Sequence, residues 1–185
     1  MSDDPELQRV EKLETGIPGF DHISNGGLPR GRVTLVSGTA GSAKTIFAAQ
    51  FLAAGIQQAG EPGVFITFEE SPADVRRNMA GFGWNIAQWE RAGSWLFVDA
   101  SMQPSESEEV VLGSFDLGAL LARIELAIRT IGARRVSIDS LGAIFSRLTD
   151  TVIVRRELFR ICAHLKDLGV TAVLTSERTQ EFGEI

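Results

Sequence analysis

Five short apolar runs, each bounded by turn residues, divide this chain: Arg32 to Ser37, Val64 to Phe68, Trp95 to Val98, Arg135 to Asp139 and Val170 to Thr175. Between them lie stretches with apolar residues at helical spacing. The first runs from about Ala43 to Ala59, dense in Ile46, Phe47, Ala49, Phe51, Leu52 and Ile56, until Gly60-Glu61-Pro62-Gly63 stops it. Asp116 to Ile131 carries a stripe of Leu117, Leu120, Leu121, Ile124 and Ile128, and a further stripe runs from Val154 to Leu168 before Gly169. Ser71-Pro72-Ala73-Asp74 reads as a helix start, with a capping serine, proline at the first helical position and an acid near the positive dipole end. Strand and helix alternating in this way predict parallel strands joined by helical crossovers, a layered α/β domain. Residues 1–10 read as a flexible tail, and the glycine-rich stretch from Thr15 to Gly31 as loops rather than a helix.

Length and charge narrow the function. A chain of 185 residues is one domain by the usual length prior, and it contains no apolar run near the ~20 residues of a membrane span. The acidic start Met1-Ser2-Asp3-Asp4-Pro5 suits neither a secretory signal nor an organellar presequence, and the lone Cys162 forms no internal disulfide or cysteine zinc site. These features predict a cytoplasmic location. A net charge of −6 argues against nucleic acid as the main partner, because phosphate-backbone binders usually present a basic face. Cys162, His22 and His164 read as structural, and the three tryptophans as core or interface.

The most specific motif is Gly38-Thr39-Ala40-Gly41-Ser42-Ala43-Lys44-Thr45, set between a buried strand and an amphipathic helix. A glycine-rich turn lets backbone N–H groups face an anion, and the helix that starts there adds its positive end. Lys44 would reach the β- and γ-phosphates of ATP, and the Thr45 hydroxyl would ligate Mg²⁺. Ala43 stands where the usual pattern has its last glycine. A positive φ there would cost ~1 kcal/mol or more, whereas an already helical backbone would favour alanine slightly. The expectation is the helical one.

Two further strands end in acids. Asp139 closes Val136-Ser137-Ile138 and reads as a Walker B acid acting on Mg²⁺ through water, the alternative being a helix cap. Glu69 and Glu70 close another strand, at the same sheet edge if the strands are parallel. Adjacent carboxylates repel, so their pairing points to chemistry. Glu70 would polarise water against the γ-phosphate with Glu69 in support, the alternative being a solvated pair before a capped helix. Thr175, Ser176, Glu177 and Arg178 could sense the γ-phosphate, contact a neighbour, or simply end a strand.

Long stretches of the chain resemble the first ATPase domain of the KaiC family of circadian-clock ATPases, within the RecA-like superfamily. They include Gly19-Phe20-Asp21-His22-Ile23-Ser24-Asn25-Gly26-Gly27-Leu28-Pro29, Pro62 to Glu70, Arg134-Arg135-Val136-Ser137-Ile138-Asp139-Ser140 and Val154 to Arg160. The resemblance implies a RecA-like P-loop core with a mostly parallel sheet flanked by helices on both faces. It also implies a hexameric ring with ATP between subunits, Mg²⁺ as cofactor, and slow ATP hydrolysis. By position it assigns phosphate binding to Gly38–Thr45, catalysis to Glu69 and Glu70, and the Walker B role to Asp139. The polar region Glu106 to Leu117 resembles the docking site for the small partner KaiB. Family members continue past Ile185 into a second, autophosphorylating ATPase domain. Residues 11–185 are therefore expected to form a RecA-like domain incomplete at its C-terminal end, with no arginine finger or phosphorylation site carried over.

Two other readings stay open. A RecA-like DNA-repair ATPase would need a DNA groove, which the charge and single cysteine do little to support. An assembly module holding ATP without useful turnover would keep the same phosphate loop.

Overall fold

The computed structural model describes residues 10–101, 117–142 and 151–177. Its central sheet is parallel throughout, in the order β3-β7-β6-β4-β5. These strands are β3 (Val33–Gly38), β4 (Gly63–Thr67), β5 (Trp95–Asp99), β6 (Arg135–Asp139) and β7 (Thr171–Glu177). All of β4 and the first four residues of β6 are buried, which explains their near-continuous apolar reading: a parallel sheet covered on both faces has no solvent side.

Alternation along the strands assigns the two faces. Val64, Ile66, Val136, Ile138, Ala172 and Leu174 form one core with α5 (Leu117–Ile131) and α6 (Thr151–Asp167). Phe65, Trp95 and Val173 form the other, with α2 (Lys44–Ala54) and α3 (Pro72–Met79). Phe51 and Phe65 are fully buried there, each contributing of order 2 kcal/mol by leaving water. Trp95 stacks on Phe65 at 5.8 Å and Trp89 of α4 (Ile86–Arg91) stacks on Trp95 at 6.1 Å, so these rings serve the core. The architecture is the α/β P-loop arrangement of RecA-like proteins.

Two local expectations need correction. The glycine-rich stretch is not all loop: α1 (Pro18–Ile23) lies between two paired strands, β1 (Lys12–Leu13) and β2 (Leu28–Pro29). Pro18 starts the helix, and the Asp21 carboxylate fixes it by accepting from the Thr15 N–H at 2.9 Å, the Thr15 hydroxyl at 2.8 Å and the Gly16 N–H at 3.0 Å. Six residues with no buried side chain leave no apolar period to read.

The helix expected over Ala43 to Ala59 is α-helical only to Ala54 and continues as a π-helical stretch, Gly55–Ala59. There the buried Arg135 side chain passes so close that a Cβ on Gly55 would lie 2.5 Å from it. Arg135 pairs with Glu61 at 2.7 Å, donates to the carbonyls of Glu14 and Phe51, and sits 4.8 Å over the Phe51 ring. A buried guanidinium is tolerated here because Nε meets a carboxylate and Nη1 meets two backbone carbonyls.

Candidate active site

The parallel register gathers the strand ends at one edge. Thr67 of β4 pairs with Asp139 of β6, and Gly38 of β3 pairs with Glu177 of β7. The loop after β3 and the residues after β4 and β6 therefore converge on a single open pocket. Ala40, Gly41, Lys44 and Thr45 line one side of it, and Glu69, Glu70, Asp139 and Ser140 the other. A second hollow continues past Ala43 and Ile46 to Glu70, Asn78 and Met79.

Within the loop, Gly38 is held close: a Cβ there would meet the Ser42 Oγ at 2.4 Å. The Ser42 N–H donates to the Thr39 carbonyl at 3.3 Å and the Lys44 ammonium to the same oxygen at 2.7 Å. Ala43 is left-handed, with φ 62° and ψ 25°, which overturns the helical expectation at this position. Residue 43 is the cap of α2: its carbonyl already accepts from the Phe47 N–H, but the chain must reverse there to leave the loop. That reversal needs a positive φ, and alanine bears a cost of roughly 1–2 kcal/mol for it.

The site has features that fit an anion and a hard cation. Helix α2 begins with no side-chain cap and no acid in its first turn, so its first N–H groups and dipole are not countered locally. Thr45 and Asp139 bring a hydroxyl and a carboxylate to the same pocket, the donors that Mg²⁺ takes alongside water and phosphate oxygens. Among the described residues, no group of three or more His, Cys, Asp or Glu side chains could hold a metal without such help.

Each acid has its own partner. Asp139 Oδ1 accepts from the buried Thr175 hydroxyl, and the Asp139 carbonyl accepts from the Phe68 N–H at 3.0 Å. The Asp139–Ser140 peptide is cis. Glu69 is exposed and accepts from the Ser140 hydroxyl at 2.8 Å. Glu70 is half-buried; its carbonyl accepts from the Thr67 hydroxyl at 2.5 Å and its Oε2 from the Asn78 amide at 2.8 Å. Sequence reasoning singled out the acids and Thr175 and overlooked Thr67, Ser140 and Asn78 as their partners. The only signal for Asn78 is its place three residues after buried Val75, which puts it beside the inward face of α3.

Other singled-out residues lie elsewhere or in part beyond view. Glu177 lines the pocket, Ser176 is half-buried, and Arg178 lies outside the described residues. Of Glu106 to Leu117 only Leu117 is described, and it starts α5 with its side chain buried in the core. His22 is exposed on α1, whereas Cys162 packs against the core, where burial pushes its thiol up. His164 Nε2 lies 3.5 Å from a Glu125 carboxylate oxygen. No helix among the described residues is long and apolar enough to cross a membrane.

Comparison with known proteins matches this geometry to one family. The family described as "ATPase: KaiC" matches residues 13–185. The chain is 62% identical to the circadian clock protein KaiC3 of Synechocystis sp. (strain ATCC 27184 / PCC 6803 / Kazusa) over 182 residues, covering 98% of this chain and 36% of that protein. It is 53% identical over 180 residues to the circadian clock oscillator protein KaiC of Parathermosynechococcus lividus, covering 97% of this chain and 33% of that one. To the KaiC of Synechococcus elongatus (strain ATCC 33912 / PCC 7942 / FACHB-805) it is 52% identical over 180 residues, again 97% of this chain and 34% of the relative. The chain thus spans about a third of the length of the curated relatives it matches. With its phosphate loop, parallel sheet and family match in agreement, this chain belongs to the KaiC family of ATPases.

Proposed function

We propose that this chain binds Mg²⁺-ATP at Gly38–Thr45 and hydrolyses it slowly, as a clock ATPase domain. The observation that carries this reading is the meeting of the phosphate loop with Glu69, Glu70 and Asp139 in one pocket, although these residues come from three different strand ends. The backbone of Gly38, Thr39, Ala40, Gly41, Ser42 and Ala43 would cradle phosphate, and Lys44 would release the Thr39 carbonyl to meet the terminal phosphates. Thr45 and, through water, Asp139 would hold Mg²⁺. When bound, that ion supplies positive charge against the phosphate oxygens. Glu70, which borders both hollows, would orient the attacking water and accept its proton, while Glu69 supports it from the Ser140 side.

The finer parts of the reading rest on the family. A hexameric ring with ATP at subunit interfaces accords with a phosphate loop whose Gly41, Ser42 and Ala43 are exposed at the rim of the site. Docking of a KaiB-like partner near Glu106–Leu117 rests on sequence resemblance alone, as does an autokinase activity of the longer parent protein. A cytoplasmic location accords with the single cysteine.

The test is Mg²⁺-dependent ATP hydrolysis by the chain beside its Glu69→Gln/Glu70→Gln variant. Turnover should fall by about a hundredfold or more in the variant while ATP binding persists. Equal turnover in both would sink the assignment of the glutamates. ATP binding with no turnover in either would favour the assembly reading instead.

A further inference from the structure

We infer that Asn78, on α3, is a positioning residue that fixes the direction of the Glu70 carboxylate; the inference rests on the role proposed for Glu70. The backbone at Glu70 is already clamped, because the Thr67 hydroxyl donates to its carbonyl at 2.5 Å. That clamp does not reach the side chain, whose three rotors would let the carboxylate swing between the pocket and solvent. Asn78 supplies the restraint, donating from its amide to Oε2 at 2.8 Å.

The neighbouring glutamate is held by a different element. Glu69 Oε1 accepts from the Ser140 hydroxyl at the end of β6, whereas Glu70 is tied to α3. Two adjacent like charges are thus assigned to two donors on separate elements, which keeps the carboxylates apart. An amide is well suited to such a restraint. It donates to one oxygen without adding charge, and among the described residues the other oxygen, Oε1, takes no donor. The hollow lined by Glu70, Asn78 and Met79 also contains Ala43, Lys44 and Thr45, so the restrained carboxylate borders the phosphate loop.

Asn78 can act this way because α3 is itself held. Val75 and Met79 are buried beneath it, Ser71 caps its start, and Arg76 grips Glu90 of α4 through two bonds of 2.6 and 2.7 Å. The direction of Glu70 thereby depends on where α3 sits.

Two measurements on the full chain test the inference. The first needs no turnover. The chain has three asparagines, Asn25, Asn78 and Asn85, so selective ¹⁵N labelling resolves the Asn78 side-chain amide. Its resonance should move on Glu70→Ala while that of Asn85 stays; an unmoved Asn78 signal overturns the inference. The second compares Mg²⁺-ATP turnover of the unaltered chain with Asn78→Leu and Asn78→Asp. Asn78→Leu should lower kcat about tenfold with ATP affinity within about twofold, the scale of one lost hydrogen bond to a charged group. Asn78→Asp should also move the acidic limb of the pH–rate profile upward, because a second carboxylate then faces Glu70. In a Glu70→Gln background neither change should lower the residual rate further. Turnover with unmoved rates and an unmoved acidic limb overturns the inference alone. No turnover by the unaltered chain overturns the reading of the site and the inference with it.

Discussion

Position 43 shows how one side chain can resist its own backbone. Alanine there holds φ 62°, a region in which its Cβ crowds the following carbonyl oxygen. Ala43→Gly should therefore raise the unfolding free energy by up to about 1 kcal/mol, less the entropy that glycine loses on folding. Ala43→Val should lower it by more, since a branched side chain fits that region worse. Urea unfolding of the three proteins checks both signs, and a valine variant as stable as the unaltered chain would mean that the left-handed turn is absent in solution. The motif and its single departure were legible in the letters, but the conformation was not. Whether residue 43 is helical depends on how the loop must turn to leave β3, which no local pattern records. The same limit hid Thr67, Ser140 and Asn78. Each is an ordinary polar residue; Thr67 meets Glu70 through a local turn, whereas Ser140 and Asn78 meet Glu69 and Glu70 only once β6 and α3 are in place.

Among the elements, α3 was the most completely legible in the letters. Its start was visible as Ser71-Pro72-Ala73-Asp74, and the Ser71 hydroxyl does accept from the Asp74 N–H at 3.2 Å while donating to its carboxylate at 2.7 Å. The Ser71 hydroxyl, helped by Arg77, holds the Asp74 carboxyl below its ordinary value. A depressed carboxylate contributes stability that is present above its unfolded value and lost as pH falls through the folded one. Apart from that linkage, loss of the backbone cap in Ser71→Ala should cost about 1 kcal/mol at neutral pH. The gap should narrow in acid once Asp74 is protonated in both proteins, as urea unfolding at neutral pH and again below the carboxylate range would show. A constant gap would assign the whole effect to the backbone cap. The five strands of the central sheet were legible to within one or two residues, β4 and β6 most clearly because burial on both faces leaves an apolar run. The short α1 and the π-helical end of α2 were not: the first has no period, and the second lies against Arg135, a neighbour from far along the chain.

For the molecule as a whole, alternation of strand and helix made the parallel sheet and its helical flanks readable, and that implied a common edge for the strand-end acids. Strand order was not readable, because crossover length does not say which neighbour a strand will take. The proposed ring makes a prediction at this scale. Light scattering after size exclusion should report assembly of the chain with Mg²⁺-ATP and its loss in Lys44→Ala, whereas a monomer under both conditions would contradict the ring for this chain. The order β3-β7-β6-β4-β5 also sets a timetable for folding. Among the described residues, the strand that carries the phosphate loop pairs only with β7, the last described strand to be synthesised. At a synthesis rate of roughly 5–20 residues per second, β3 waits on the order of ten seconds for its partner. Its contacts are among the most distant in sequence and so among the slowest to form. During that wait Leu35, still 52% exposed in the finished fold, and the loop beyond it have no sheet to rest on. Nucleotide bound as proposed would therefore stabilise the folded sheet rather than guide its assembly, because its loop is anchored only once β3 has paired with β7.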